Sequence, residues 1–210
     1  MSDAVVYVVE DDEAVRRAVA RLLRSVGLSV ETFPSARAFL EQARPDRPAC
    51  LVLDVRLPGP SGLELQTALG DDQRAVPIIF ITGHGNVPMS VRAMKSGALD
   101  FLQKPFDDQD LLEAVRRALD RSREARLENA ERTAIRRRFE SLTPREREVL
   151  GLVVTGMLNK QIASRLGAAE KTIKVHRGRV MRKMVAESVA DLVRMAQRIE
   201  LPSPHQTKAP

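Results

Sequence analysis

The chain has 210 residues and a formal charge of +6, from 34 Lys and Arg against 28 Asp and Glu. A single cysteine, Cys50, excludes an internal disulfide or a cysteine-based zinc site, and three histidines argue against an imidazole metal cluster. Aromatics are 3% with no Trp, against single-strand binding by base stacking. No apolar run approaches the ~18 residues of a membrane span, and Met1-Ser2-Asp3 leads straight into an apolar run with no basic leader. The expectation is a soluble, cytoplasmic protein that does not engage a membrane.

Charge is unevenly spread. Residues 1–122 carry 15 basic and 18 acidic side chains, net −3, and residues 123–210 carry 19 and 10, net +9. An acidic front and a basic back point to two jobs, the second of them contact with phosphates or an anionic surface.

The front half alternates strand and helix. Ala4–Val9 is a continuous apolar run, as in a strand buried on both faces. Ala14, Val15, Ala18, Val19, Leu22, Leu23 and Val26 then recur at helical spacing up to Gly27. Leu28–Phe33 reads as a strand, and Ser35 caps a short helix with Phe39 and Leu40 inward. Cys50–Leu53 is a buried strand ending on Asp54, and Pro58, Gly59, Pro60 and Gly62 punctuate the loop before a helix over Leu63–Leu69. Pro77–Ile81 is a strand closed by Thr82-Gly83-His84-Gly85; a helix over Val87–Ser96 and a strand over Asp100–Gln103 precede Lys104-Pro105. A helix with an apolar stripe starts at Asp107. Five βα units imply a parallel sheet with helices on both faces.

In such a sheet, ligands bind beyond the carboxyl ends of the strands. Those ends carry Glu10-Asp11-Asp12, Asp54, Thr82 and Lys104. Clustered carboxylates repel one another unless a cation joins them, and oxygen-only donors favour a hard ion such as Mg²⁺. A carboxylate nucleophile, Mg²⁺ and Lys suit phosphoryl transfer, which needs positioning and charge neutralisation. Taken singly, each residue has a plainer role: Asp12 as a helix cap, Asp54 as a structural strand end, Lys104-Pro105 as a turn. Their placement at successive strand ends favours the chemical reading.

These residues, with Pro58-Gly59-Pro60-Ser61-Gly62 and Lys104-Pro105-Phe106, resemble a response-regulator receiver domain over residues 1–122. The resemblance implies a flavodoxin-like (βα)5 fold with strand order 2-1-3-4-5 and Asp54 as phosphoacceptor. It implies Mg²⁺ on Asp11, Asp54 and the main-chain carbonyl of Arg56, with Glu10 acting through a water. Lys104 would pair with phosphoryl oxygens, its bond to Pro105 would be cis, and Thr82 and Phe101 would respond to the phosphoryl group. Glu10 stands where the family often has Asp. His84 reads as a loop residue of the switch.

Residues 123–141 are charge-dense and free of Gly and Pro, as in a solvated helical linker. Leu127, Ala130, Ala134 and Ile135 offer a weak dimerising seam as the alternative. Residues 142–200 read as four helices: Thr143-Pro144-Arg145-Glu146 starts one, Asn159–Leu166 and Glu170–Met184 flank Gly167-Ala168-Ala169, and Ser188–Ile199 closes the set. Residues 201–210 are Pro-rich and expected to be disordered. Helix, short turn, longer helix is the spacing of a helix-turn-helix, whose second helix enters the major groove. Along Glu170–Met184 the apolar Ile173, Val180 and Met184 share one face, and Lys171, Lys174, Val175, Gly178, Arg179 and Arg182 lie away from it. A basic helix face can contact phosphates and base edges, or simply face water.

The strings Leu142–Leu150, Asn159-Lys160-Gln161-Ile162-Ala163, Thr172-Ile173-Lys174-Val175-His176 and Lys183-Met184 resemble the LuxR/NarL-type helix-turn-helix. That family implies an all-α four-helix domain binding DNA as a dimer. Lys174, Val175 and Gly178 fall where it reads bases; Lys160, Thr172, His176, Arg177 and Arg179 fall near the backbone or the helix packing. Ala169 stands where Ser is a common cap. Together the halves resemble FixJ-type members of the NarL/FixJ regulators. The expectation is a phosphorylation-activated transcription factor, not an enzyme beyond its own phosphorylation and dephosphorylation. Its partners would be a sensor histidine kinase, promoter DNA, RNA polymerase and a second copy of itself, met through Val91, Met94 and Lys95. The alternative is a DNA-binding regulator independent of phosphorylation.

Overall fold

A computed structural model describes residues 4–42, 46–70, 76–83 and 87–201. His84 and residues 202–210 lie outside the described residues. The chain divides into two compact units, Met1–Leu127 and Glu128–Pro210.

The first unit runs β1 (Val5–Val9), α1 (Glu13–Ser25), β2 (Ser29–Phe33), α2 (Ala36–Leu40), β3 (Ala49–Asp54), α3 (Gly62–Leu69), β4 (Ile78–Thr82), α4 (Val87–Lys95), β5 (Asp100–Gln103) and the first part of α5 (Asp108–Glu140). The five strands are parallel in the order β2-β1-β3-β4-β5. This is the doubly wound arrangement whose crevice opens where strand order reverses, between β1 and β3. Side chains alternate faces along each strand. Val6, Val8, Val52, Ile79 and Ile81 pack under α1 and α5, whereas Val5, Tyr7, Leu51, Leu53, Ile78 and Phe80 pack under α2, α3 and α4. That two-sided burial explains why β1, β3 and β4 are unbroken apolar runs.

In α1 and α2 the buried stripe is narrower than the set of apolar positions, and in α2 this overturns the inward placement of Leu40. On α1 the buried stripe is Val19, Ala20 and Leu23, while Ala14, Ala18 and Val26 are exposed; Val26 lies past the last turn, where the helix no longer faces the sheet. In α2 Ala36 and Phe39, three positions apart on one face, turn inward, and Leu40, one position round the helix from Phe39, is 45% exposed.

The second unit contains the end of α5 and then α6 (Pro144–Val153), α7 (Asn159–Leu166), α8 (Glu170–Met184) and α9 (Val189–Arg198). Thr143 caps α6 in a reciprocal capping box with Glu146, and Ser188 caps α9 in the same way with Asp191. Gly167, at φ 61°, closes α7 in the left-handed conformation that glycine takes without steric cost. The core gathers Val149, Leu150, Val153, Ile162, Ile173, Val180, Met184 and Leu192.

The segment read as a linker is helical and continuous with the helix before it, but it is not solvated throughout. Leu127 is 72% exposed, yet Ile135 is 3% exposed and packs into the second core, with Phe139 against it. Ile135 is therefore spent on its own unit and is not available to a dimer seam. Arg138 reinforces the docking by donating to the Met184 carbonyl at the end of α8.

Candidate functional site

Strand register assembles the first site. Val9 pairs with Leu53, so Glu10 and Asp54 follow side by side; Thr82 pairs with Gln103, so Lys104 emerges next to the end of β4. The Lys104 N–H donates to the Thr82 carbonyl at 2.7 Å. The carboxylates of Glu10, Asp11 and Asp54 each offer an oxygen within 4.8 Å of the others; Glu10 and Asp54 are buried and Asp11 is exposed. Lys104 Nζ donates to Glu10 Oε2 at 2.5 Å and to Asp54 Oδ2 at 2.7 Å, while the Arg56 N–H donates to Asp54 Oδ1 at 2.9 Å.

Burial pushes the Glu10 carboxyl up; Lys104 opposes the shift and the Asp54 charge adds to it. For Lys104, burial would lower the ammonium, but hydrogen bonds to Asp54 and Glu10 prevail and raise it. Three converging carboxylates, one open to water, fit a hard divalent cation and supply no soft ligand.

The flanking residues have distinct roles. Asp12 is a helix cap, accepting from the N–H groups of Ala14 and Val15 at 2.8 and 3.1 Å. Thr82 is buried at the end of β4. Phe101 is half-buried on β5, its ring 6.3 Å from that of Phe80. The Lys104–Pro105 bond is cis. Val91, Met94 and Lys95 are exposed on α4, whose Ala93 is buried.

Arg16 was not singled out by the sequence. Its guanidinium donates to the carbonyls of Glu10 at 2.7 Å and Asp11 at 3.0 Å, fixing the turn that carries both carboxylates. On a helix it reads as one more surface charge; the available clue was its place one turn after an acidic strand end.

In the second unit, α7, the turn and α8 match the expected spacing. Lys160, Lys171, Thr172, Lys174, Val175, Gly178, Arg179 and Arg182 are exposed, and His176 and Arg177 are half-buried. Val175, 48% exposed, leaves an apolar side chain among cations. A Cβ at Gly178 would meet nothing within 4 Å, so no neighbour in the chain demands glycine there. Ala169 provides no side-chain cap for α8. Arg177 donates to Asn159 Oδ1 at 3.0 Å, tying the start of α7 to the middle of α8. Lys183 donates to Glu146 Oε2 at 2.6 Å and to the Ser141 carbonyl at 3.2 Å, anchoring the far end of α8.

A doubly wound sheet with this acidic edge, followed by a helix-turn-helix, defines a signalling receiver joined to a DNA-binding output. Comparison with known proteins agrees unit by unit. Residues 6–116 match the response regulator receiver domain and residues 140–196 match bacterial regulatory proteins of the luxR family. Nodulation protein W of Bradyrhizobium diazoefficiens is 54% identical over 204 residues, covering 96% of this chain and 89% of that protein. The solved response regulator StyR is 48% identical with a TM-score of 0.81, over 94% of this chain and all of that one (100%). Full-length FixJ from B. japonicum is 39% identical at a TM-score of 0.55, over 96% and 100% of the two chains. The chain belongs to the response regulators of two-component systems, in the NarL/FixJ family. It is a phosphorylation-regulated transcription regulator. Among the described residues no helix is long and apolar enough to cross a membrane.

Proposed function

We propose that a sensor histidine kinase transfers a phosphoryl group to Asp54. A carboxylate oxygen of Asp54 bonds to phosphorus as the bond to the kinase histidine breaks, leaving an acyl phosphate. The observation that carries this reading is the convergence of Glu10, Asp11, Asp54 and Lys104 at one sheet edge. Mg²⁺ held by the carboxylates of Asp11 and Asp54 and the main-chain carbonyl of Arg56, with Glu10 acting through a water, would offset the negative charge of the carboxylates and of the phosphoryl oxygens. Lys104 supplies a second cation and exchanges its bond to Asp54 for one to a phosphoryl oxygen. Thr82 donates its hydroxyl to the phosphoryl group, and Phe101 turns inward behind it.

This change biases the surface of α4, β5 and α5, where Val91, Met94 and Lys95 meet a second copy. The dimer sets two α8 helices on a twofold-like promoter site. Lys174, Val175 and Gly178 face base edges; Lys160, Lys171, Thr172, His176, Arg177, Arg179 and Arg182 serve the phosphate backbone or hold the helix. The bound dimer works with RNA polymerase in the cytoplasm.

Mass spectrometry after acetyl phosphate treatment tests the first step: an acid-labile adduct at Asp54 is expected, and none in Asp54→Asn. Genomic footprinting with and without the donor tests the second. A footprint equally tight for Asp54→Ala would favour regulation independent of phosphorylation.

A further inference from the structure

Gln66 is an amide where the packing around it is apolar. It sits on α3 between Leu65 and the last turn at Leu69, is fully buried at 0% exposure, and lies beside the core of Leu65, Leu69, Phe80 and Ala93. Its Nε2 donates across to α4, at 3.2 Å to the Ala93 carbonyl and 3.1 Å to the Ser96 carbonyl. Helix C-termini leave carbonyls unpaired, but the end of α4 already has its own closure. Gly97, at φ 94°, returns its N–H to the Met94 carbonyl at 3.0 Å, and the Ala98 N–H reaches the Ala93 carbonyl at 3.1 Å. The Ala93 carbonyl therefore has a partner without Gln66. A buried amide costs desolvation that an apolar side chain of similar size would not incur. What it adds is a directional tie between α3 and one position of α4.

The other end of α3 touches the phosphoacceptor strand. Gly62 donates its N–H to the Val55 carbonyl at 3.0 Å and lies against the Asp54 carbonyl. Asp54, Gly62, α3, Gln66 and the end of α4 thus form one contiguous path, separate from the route through Thr82 and Phe101. Lys104 is bonded to Asp54 itself, and the Gln66 tie is formed alongside that bond.

We infer that Gln66 is a positioning residue that latches the C-terminal end of α4 in the resting chain and so restrains the α4 face from dimerising before phosphorylation. The inference rests on the proposed dimer face. Gln66→Met keeps the length and apolar bulk but removes both donors; Gln66→Leu is the second variant should the first fold poorly. In the full chain without phosphoryl donor, hydrogen exchange at the Ser96, Gly97 and Ala98 amides should rise about tenfold, while β3 amides stay unchanged. By sedimentation equilibrium, the dimer association constant of the untreated variant should rise about tenfold, and that of the acetyl phosphate-treated variant less than twofold. Unchanged exchange at those three amides overturns the latch. Raised exchange with the same shift, or none, in both phosphorylation states overturns the restraint and leaves a packing role. Failure of the wild-type chain to gain mass with acetyl phosphate would instead refute the dimer reading, and the exchange contrast would still decide the latch.

Discussion

Gly62 lies so close to Asp54 that a Cβ built on it would stand 2.3 Å from the Asp54 carbonyl oxygen and 3.1 Å from the Phe80 ring. The first contact is with backbone, which cannot swing aside, and the strand concerned carries the phosphoacceptor. Gly62→Ala must therefore displace either α3 or the end of β3. A loss of about 1–3 kcal/mol in urea unfolding of the full chain is expected, along with slower Asp54 labelling by acetyl phosphate. Unchanged stability would mean that this approach relaxes freely.

Arg16 tests whether the turn beyond β1 must be held for a cation to bind. It donates to the carbonyls of both residues whose carboxylates converge on Asp54. Groups that orient ligands are typically worth about 10–100-fold in metal affinity. Arg16→Met should raise the Mg²⁺ concentration for half-maximal labelling by acetyl phosphate about tenfold, with the rate at saturating Mg²⁺ nearly kept. Arg16→Lys, a point charge in place of a fork, should fall between.

How much of this was visible beforehand depended on whether a residue's role followed from its element. β1, β3 and β4 announce themselves as apolar runs, and the polar residue that closes each run lands on one sheet edge, so Glu10, Asp54 and Thr82 could be placed from sequence. The cap at Thr143 and the turn around Gly167 are local chemistry and equally visible. Arg16 and Gln66 act across the fold on backbone carbonyls, and a polar residue on a helix carries no mark of that. Ile135 was obscured differently, by the charged residues of its own helix. Its one clue was Phe139 four positions on, a helical repeat that turns both toward the second core.

The anchor of α8 carries a pH signature. Glu146 is buried, and its carboxyl is lowered to about 2 by the hydrogen bond from Lys183 first, then by the Thr143 N–H, with Lys183's charge adding. A carboxyl lower in the folded chain than in the unfolded one stabilises fully above its ordinary value, and that contribution disappears as pH falls toward the folded value. Glu146→Gln should therefore destabilise the second unit at about pH 6, and the gap to wild type should narrow below about pH 4.5 and close near pH 2. Denaturant titrations across that window, followed by circular dichroism, measure the gap. A gap independent of pH would assign Glu146 a steric role.

The end of α5 makes the boldest demand on where the DNA-binding unit begins. Ile135 is 3% exposed among Leu142, Val149 and Met184, and Arg138 reaches the last carbonyl of α8. Ion pairs from Glu131 to Arg198 and from Arg132 to Glu200 tie the same stretch to the α9 end, although such exposed pairs add little. Packing should dominate. Truncating a buried Ile to Ala costs about 2–5 kcal/mol when the cavity cannot collapse, so Ile135→Ala should lower the unfolding midpoint of the second unit clearly. Glu131→Ala should cost less than about 1 kcal/mol of stability. A fragment beginning at Leu142 should then be less stable than one beginning at Glu128 and bind duplex DNA more weakly at the same salt, because α8 loses the support beneath its C-terminal end. Equal melting of the two fragments would show that the helix before Leu142 is a tether and not a wall of the core.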